Sequence, residues 1–317
     1  MNQYMAFAQK LAEVLPEEKI LIDEPMIKHT NFKLGGPADV MVLPTTEKEL
    51  EIVLAIAREE SIPFFIVGNG SNLVVRDGGI RGLVIKLEHF NQIRVEDHCI
   101  IAESGAELIK LSEVALEHHL SGLEFACGIP GSLGGAVFMN AGAYDGEMSQ
   151  VLESVTVISP EGEKIVLARE ELELGYRTSR VKTCGDIVVA ARLKLKPGNY
   201  NEIKEKIDLL TKKREDRQPL EYPSAGSTFK RPVGYYAGKL IQDAGLKGYC
   251  LRGAAVSDKH SGFIINNENA TAQEVLELIS FIQQEVHTKF EVQLEPEVLI
   301  VGVDSLACDE KDDKQES

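Results

Sequence analysis

The stretch FACGIPGSLGGAVFMNAGAY, residues 125–144, sets five glycines, a proline and a serine among short apolar runs. A main chain this poor in side chains can come close to a flat or anionic ligand that Cβ atoms would hold away. A shorter loop of the same kind, GNGSN at 68–72, follows directly on the apolar run 62–67, which reads as a buried strand. Glycines at such junctions let successive amides converge on an anion, and Ser71, Asn72 and Ser132 add side-chain donors. One such loop alone is an ordinary tight turn; the two together favour a large dinucleotide bound through its pyrophosphate. Neither is a Walker A, because no Gly-Lys-Ser/Thr follows. GNGSNL also lacks the third glycine and the downstream helix of the Rossmann fingerprint.

Around the loops the chain reads as mixed α+β. Thr46 and Glu49 have capping-box spacing ahead of Leu50, Val53, Leu54 and Ala57, which recur at helical period. GLVIKL, CIIAES, SVTVISPEGEKIVL and DIVVAARLKL are short, β-branched and separated by turn residues, so they read as strands. One helix, about 107–119, lies among them, with Gly122 as its expected C-cap. Residues 201–218 form a highly charged connecting helix with Ile203, Ile207 and Leu210 on one face, stopped by Pro219. Beyond it come the loop YPSAGSTFKRP, the helix YYAGKLIQDAGLKG, the strand GFIIN, a helix opened by Thr271 and Glu274, and a last strand EPEVLIVG. This third part, 219–303, reads as a smaller α/β domain, followed by an acidic, disordered tail at 304–317.

With 317 residues, 44% of them hydrophobic, the chain can bury about two cores of ~150 residues each. The formal charge of −16 opposes a phosphate backbone, so no nucleic-acid partner is expected. No apolar run reaches the roughly 18 residues of a membrane span, and the N-terminus lacks the order of a signal peptide. The expectation is a cytoplasmic protein without a membrane or protein partner. Five scattered cysteines (Cys99, Cys127, Cys184, Cys250, Cys308) form no C-x-x-C pair, which argues against a disulfide framework or a metal site.

Six blocks in order, TNFKLGGPAD, IVGNGSNLVV, ACGIPGSLGGAVFMNAGAYDGE, LGYRTSR, SAGSTFKRP and LEPEV, resemble the UDP-N-acetylenolpyruvoylglucosamine reductases. These are flavoenzymes of bacterial peptidoglycan precursor synthesis, and the likeness runs from about residue 20 to 303. The resemblance implies a two-lobed FAD-binding domain of the vanillyl-alcohol-oxidase type over 1–200, with lobes at about 1–75 and 76–200, followed by a substrate-binding domain. It implies non-covalent FAD, NADPH as hydride donor and a UDP-sugar substrate. The FAD contacts would be Gly68, Asn69, Gly70, Ser71, Asn72 and Leu73 in the first loop. In the second they would be Gly128, Ile129, Pro130, Gly131, Ser132, Gly134, Gly135, Ala136 and Asn140. The interval from Arg177 to DIVVAARLKL leaves no room for the inserted segment of the family's long form, so the chain resembles its shorter, second type. Arg231 stands where the long form more often carries asparagine.

The same likeness assigns catalysis to Arg177, Ser227 and Glu297. Arg177 offers a planar fork to a carboxylate, Ser227 matches a proton donor, and Glu297 matches a third group that assists the intermediate. Ser227 has no G-x-S-x-G elbow, so it is not a lipase-type nucleophile. A hydroxyl is a poor acid, and a neighbouring cation such as Lys230 would help it. Glu295 lies two residues from Glu297 and the motif alone does not choose between them; block alignment favours Glu297. A carboxylate beside a substrate carboxylate needs either a raised pKa or a tight cationic contact. Tyr144, Tyr176, Lys230, Tyr235, Lys239 and His260 are candidates for gripping the substrate. Cys127 is the single group in these loops that offers a covalent flavin tether.

Overall fold

The computed structural model describes residues 3–305, so the expected tail lies outside the described residues from 306 onward. The first lobe is a four-stranded sheet in the order Ile20–Pro25, Pro37–Val42, Ile80–Lys86, Phe64–Val67. Its first pair is antiparallel and the other two contacts are parallel, which requires a crossover. The helix Glu47–Glu59 makes it. Thr46 Oγ1 accepts from Glu49 N at 3.2 Å, while the Glu49 carboxylate reaches Thr45 N at 2.8 Å. Leu50, Val53, Leu54 and Ala57 are buried against Val40, Val42, Leu83 and Ile85 of the sheet.

This strand order corrects two expectations. The lobe boundary does not fall at 75, because Ile80–Lys86 is an inner strand of the first sheet. The run 62–67 is not a fully buried strand: Phe64–Val67 holds the sheet edge, and only Val67 of its four residues is buried. Two apolar runs of similar length compete for the inner position. The one flanked by strands on both sides is the later one in sequence.

The second lobe is an antiparallel five-stranded sheet, Lys164–Ala168, Leu152–Ile158, Ile187–Lys194, Cys99–Glu103, Ile93–Glu96. The helices Leu108–Glu117 and Leu133–Met139 lay Leu108, Leu111, Leu133 and Val137 onto it. Gly122 does not cap the first of these helices. The left-handed residue is His119, at φ 55°, because the strand Leu120–Ser121 starts immediately after it. The charged helix Tyr200–Arg217 is present as expected, opened by Asn199 Oδ1, which accepts from Asn201 N and Glu202 N.

In the third part, Ser224–Ser227, Phe263–Asn266, Ala254–Val256 and Cys250–Leu251 make an antiparallel sheet packed on the helices Ala237–Asp243 and Ala272–Phe290. The segment 224–227, read as loop, is therefore an edge strand. A register shift at Gly226, φ 78°, bulges it.

This part is welded to the first lobe. Phe32, Leu34 and Val74 sit in its core. Asp77 accepts from Ala272 N and Gln273 N at 2.8 and 2.9 Å, so a first-lobe carboxylate adds to the Thr271–Glu274 capping box at the N-terminus of the long helix. The last strand, Leu299–Val301, does not join the third sheet. It pairs in parallel with Leu73–Val75, immediately after the first glycine loop. That pairing carries Glu297 to the loop. No helix among the described residues is long and apolar enough to cross a membrane.

Candidate active site

The two glycine loops touch. A Cβ on Gly68 would stand 2.2 Å from Ser132 Oγ. Within the first loop the amides of Asn69, Gly70, Ser71 and Asn72 donate to no acceptor among the described residues. Four successive free amides around a left-handed glycine are what an anion needs. Gly70 itself has φ 61°, and its α-carbon faces the His29 carbonyl so closely that a Cβ would be 2.0 Å from that oxygen. Gly70→Ala thus combines left-handed strain of roughly 1–2 kcal/mol with a backbone clash. The expected result is a lower melting temperature and loss, on gel filtration, of the FAD that the resemblance implies, read as the ratio of visible to ultraviolet absorbance. Full retention would show that the loop does not need its tight approach.

The second loop is only partly a loop. Ser132 Oγ accepts from Gly135 N and caps Leu133–Met139, so Gly134, Gly135 and Ala136 are helical. Gly134 lets this helix rest on Ser104, where a Cβ would meet the Ser104 Cβ at 3.0 Å. Leu133 N and Gly134 N are already spent on Ala106 O and Ser104 O. Gly131 O accepts from Leu108 N, and Ile129 N donates to Ala126 O. The amides of Gly128, Gly131 and Ser132 donate to no acceptor among the described residues, so both loops offer free donors.

Beside Asn69 opens a cavity of about 500 Å³ whose lining includes Lys28, His29, Lys33, Lys86 and Lys110. Glu88 and Glu107 line it as well, and Lys86, Lys28 and Lys110 are paired with Glu88, Glu24 and Glu113. Lys86 Nζ lies 3.1 Å from His29 Nδ1, and His29 Nε2 lies 2.9 Å from the Glu24 carboxylate. The lining does not extend to Arg177, Ser227 or Glu297.

Arg177 and Glu297 meet elsewhere, and Ser227 precedes a main-chain partner of Glu297. Arg177 Nε donates to Glu297 Oε1 at 2.6 Å and its terminal nitrogen donates to Gly142 O at 3.3 Å. Glu297 N donates to Thr228 O at 2.8 Å, and Phe229 bridges Pro296, so Glu297 is stitched to the strand that carries Ser227. The Ser227 side chain is exposed and makes no hydrogen bond among the described residues. Glu295 and Glu297 are separated by environment. Glu297 is 13% exposed and faces Arg177; Glu295 is 69% exposed and takes Lys230 Nζ at 3.1 Å. Glu297 makes a tight cationic contact with Arg177, and Lys230 is engaged by Glu295.

Residues 218–301 match the family model of the UDP-N-acetylenolpyruvoylglucosamine reductase C-terminal domain, and residues 38–168 match that of an FAD binding domain. The chain is 56% identical over 304 residues to the UDP-N-acetylenolpyruvoylglucosamine reductase of Clostridium perfringens, spanning 96% of this chain and 100% of the relative. Against that of Clostridium botulinum it is 54% identical over 302 residues, 95% and 99% of the two chains. The crystal structure of the Thermus caldophilus UDP-N-acetylenolpyruvylglucosamine reductase superposes with a TM-score of 0.77 at 36% identity, covering 89% of this chain and 97% of that one.

The chain belongs to the UDP-N-acetylenolpyruvoylglucosamine reductase family. It is an oxidoreductase with an FAD-binding domain, and the free amides and the close approach of Gly68 to Ser132 fit that cofactor.

In this reductase two asparagines assigned to the cofactor spend their amides on protein. Asn72 Nδ2 donates to Glu297 O at 3.2 Å, and Asn72 O accepts from Leu299 N. Asn140, 1% exposed, donates to Gly175 O at 3.1 Å and to Glu147 Oε1, and accepts from Ser149 N. Both carboxamide hydrogens of Asn140 are therefore used within the protein. Each asparagine thus ties one glycine loop to one member of the Arg177–Glu297 pair.

The substrate candidates divide. Tyr176 OH lies 3.5 Å from Glu297 Oε2 and accepts from Arg231 N at 3.1 Å, so Tyr176 and Arg231 border the site. Tyr144, held at φ 58°, donates to Leu210 O of the connecting helix at 3.0 Å; burial pushes its phenol pKa up. Tyr235 is exposed and receives Arg231 Nε on its carbonyl. Lys239 pairs with Asp243 of its own helix. His260 Nδ1 accepts from Gly262 N at 3.1 Å and burial lowers its pKa, which describes a turn-holding imidazole. Cys127 is turned to the connecting helix, against Ile207 O and Thr211 Oγ1.

Sequence reasoning missed Arg214 and Lys182. The Arg214 side chain lies on Gly128, where a Cβ would be 2.6 Å from its Cδ. Burial lowers its pKa, and no carboxylate pairs with it among the described residues. An unpaired, desolvated guanidinium beside a glycine loop is a ready anion contact. It was hidden in a run of surface charges on the connecting helix, KKREDR, with nothing local to single it out.

Proposed function

We propose that the chain reduces the enolpyruvyl group of UDP-N-acetylglucosamine enolpyruvate to UDP-N-acetylmuramate, in peptidoglycan precursor synthesis, with NADPH as the hydride donor. FAD, held non-covalently at the glycine loops 68–72 and 128–135, would supply the redox chemistry between NADPH and the substrate. The observation that carries this reading is the Arg177–Glu297 contact of 2.6 Å, stitched by main-chain bonds to the strand bearing Ser227.

Hydride addition at the terminal methylene pushes electrons into the adjacent carboxylate, so negative charge grows on its oxygens. Arg177, with Nε fixed on Glu297, keeps terminal N–H groups to meet that charge. Ser227, whose hydroxyl has no hydrogen-bond partner among the described residues, delivers the proton to the carbon that bears the ether oxygen. Glu297 holds Arg177 in place and offsets its charge before the substrate arrives. The first loop, with Arg214 beside the second, receives diphosphate charge. The reading sets the enzyme in the cytoplasm, where NADPH is supplied.

The test is optical. Purified protein should show flavin absorbance that acid precipitation leaves in the supernatant, since Cys127 points away to the connecting helix. NADPH should bleach it under anaerobic mixing, and only the enolpyruvyl substrate should restore it rapidly. Colour retained in the pellet refutes non-covalent binding. Recovery by oxygen alone, with no effect of the substrate, would make the protein an oxidase of similar fold.

A further inference from the structure

We propose that Lys182 is a positioning residue, whose ammonium clamps the main-chain carbonyl of Arg177 and so keeps the guanidinium aligned on Glu297. Gly175 and Thr178 exchange both main-chain bonds, at 3.1 and 3.3 Å, which leaves Tyr176 and Arg177 as a two-residue loop. Arg177 occupies it at φ 58°, a conformation that such loops usually give to glycine or asparagine. An arginine there stays only if its surroundings hold it.

The holding groups are visible. Asn140 Nδ2 takes Gly175 O, and Ser179 Oγ donates to Phe138 O at 2.8 Å, fixing the two ends of the loop. The carbonyl of Arg177 itself has one partner, Lys182 Nζ at 3.2 Å. Lys182 rides the short helix Arg180–Cys184, which Ser179 caps. Its ammonium lies 3.9 Å from Met139 Sδ and 5.8 Å from the Phe138 ring centre, and no carboxylate pairs with it among the described residues. Burial pushes its pKa down, Lys230 adds to that, and Glu297 opposes it. A surface lysine would stand in water or beside an acid. This one is half-buried, and the Arg177 carbonyl is its one oxygen partner among the described residues.

With the clamp gone, Arg177 is free to leave the left-handed region, and its fork swings off Glu297. The inference rests on the functional reading above for its kinetic arm but not for its structural arm. Lys182→Met in the FAD-loaded enzyme should slow substrate-driven recovery of flavin absorbance roughly 10- to 100-fold, the range a small misplacement produces. Bleaching by NADPH should stay within about twofold, and Lys182→Arg, which can still donate to the carbonyl, should recover most of the loss. In an Arg177→Lys background the methionine change should cost little more, because both act through one fork. Equal slowing of both half-reactions, full additivity, or an arginine variant as impaired as methionine would each overturn the clamp. A crystal structure of Lys182→Met supports it if Arg177 changes its φ or loses Glu297, and overturns it if both are unaltered. If wild-type flavin does not recover with the enolpyruvyl substrate, the functional reading falls while that structure still decides the clamp.

Discussion

Ser227→Ala is expected to slow substrate-driven recovery of flavin absorbance by roughly 10²- to 10⁴-fold, the usual worth of a positioned general acid, while bleaching by NADPH stays within about twofold. The asymmetry follows from the bonds Ser227 does not make. Its hydroxyl is exposed on an edge strand and has no hydrogen-bond partner among the described residues, so alanine removes no internal interaction. The bulge at Gly226 and the Thr228–Glu297 bond are main-chain features that alanine keeps. Melting temperature should therefore be unchanged, and a rate loss confined to the second half-reaction belongs to the proton. Stopped-flow mixing of each half separately decides it. Equal losses in both halves would take the proton-donor role away from Ser227.

What was legible in the sequence was what the chain specifies locally. The caps at Thr46 and Thr271, the glycine loops and the β-branched runs each depend on neighbours within about four residues. What escaped depends on partners far along the chain. Asn72 looks like a loop donor in GNGSN, and nothing near it shows that its carboxamide will be used by Glu297, 225 residues later. The same holds for the last strand. EPEVLIVG reads as a strand of its own domain, but its partner is Leu73–Val75 in the first lobe. The choice between Glu295 and Glu297 was open for a related reason. Alternation assumes a regular strand, whereas the segment touches Phe229 through one isolated bridge at Pro296, and each carboxylate finds its own cation.

These long-range ties give the site its logic. Asn72 leaves the first glycine loop to hold Glu297, and Asn140 leaves the end of the second loop's helix to hold the turn of Arg177. A cofactor seated on both loops therefore sits on the supports of the two charged side chains. Hydride delivery and charge stabilisation need a shared frame, and the fold builds one from main-chain and carboxamide bonds around the Arg177–Glu297 contact.

Arg177→Lys is the second large effect, expected at roughly 10²- to 10³-fold on the substrate half-reaction, the cost of losing a preorganised donor to a developing oxyanion. Charge is conserved, so the loss measures geometry. Arginine holds Glu297 through Nε and Gly142 O through a terminal nitrogen, and still has N–H groups to present to a carboxylate. A lysine is a single point on a flexible stem. If it stays on Glu297 it has no planar fork to present to the substrate, and if it turns to the substrate it leaves Glu297, 13% exposed, without its partner. Either way the Michaelis constant for the enolpyruvyl substrate should rise as well, whereas NADPH bleaching, which places no charge on that carboxylate, should hardly change. A variant with normal turnover would remove Arg177 from the reaction and leave its 2.6 Å contact with Glu297 as a seam between lobe and domain.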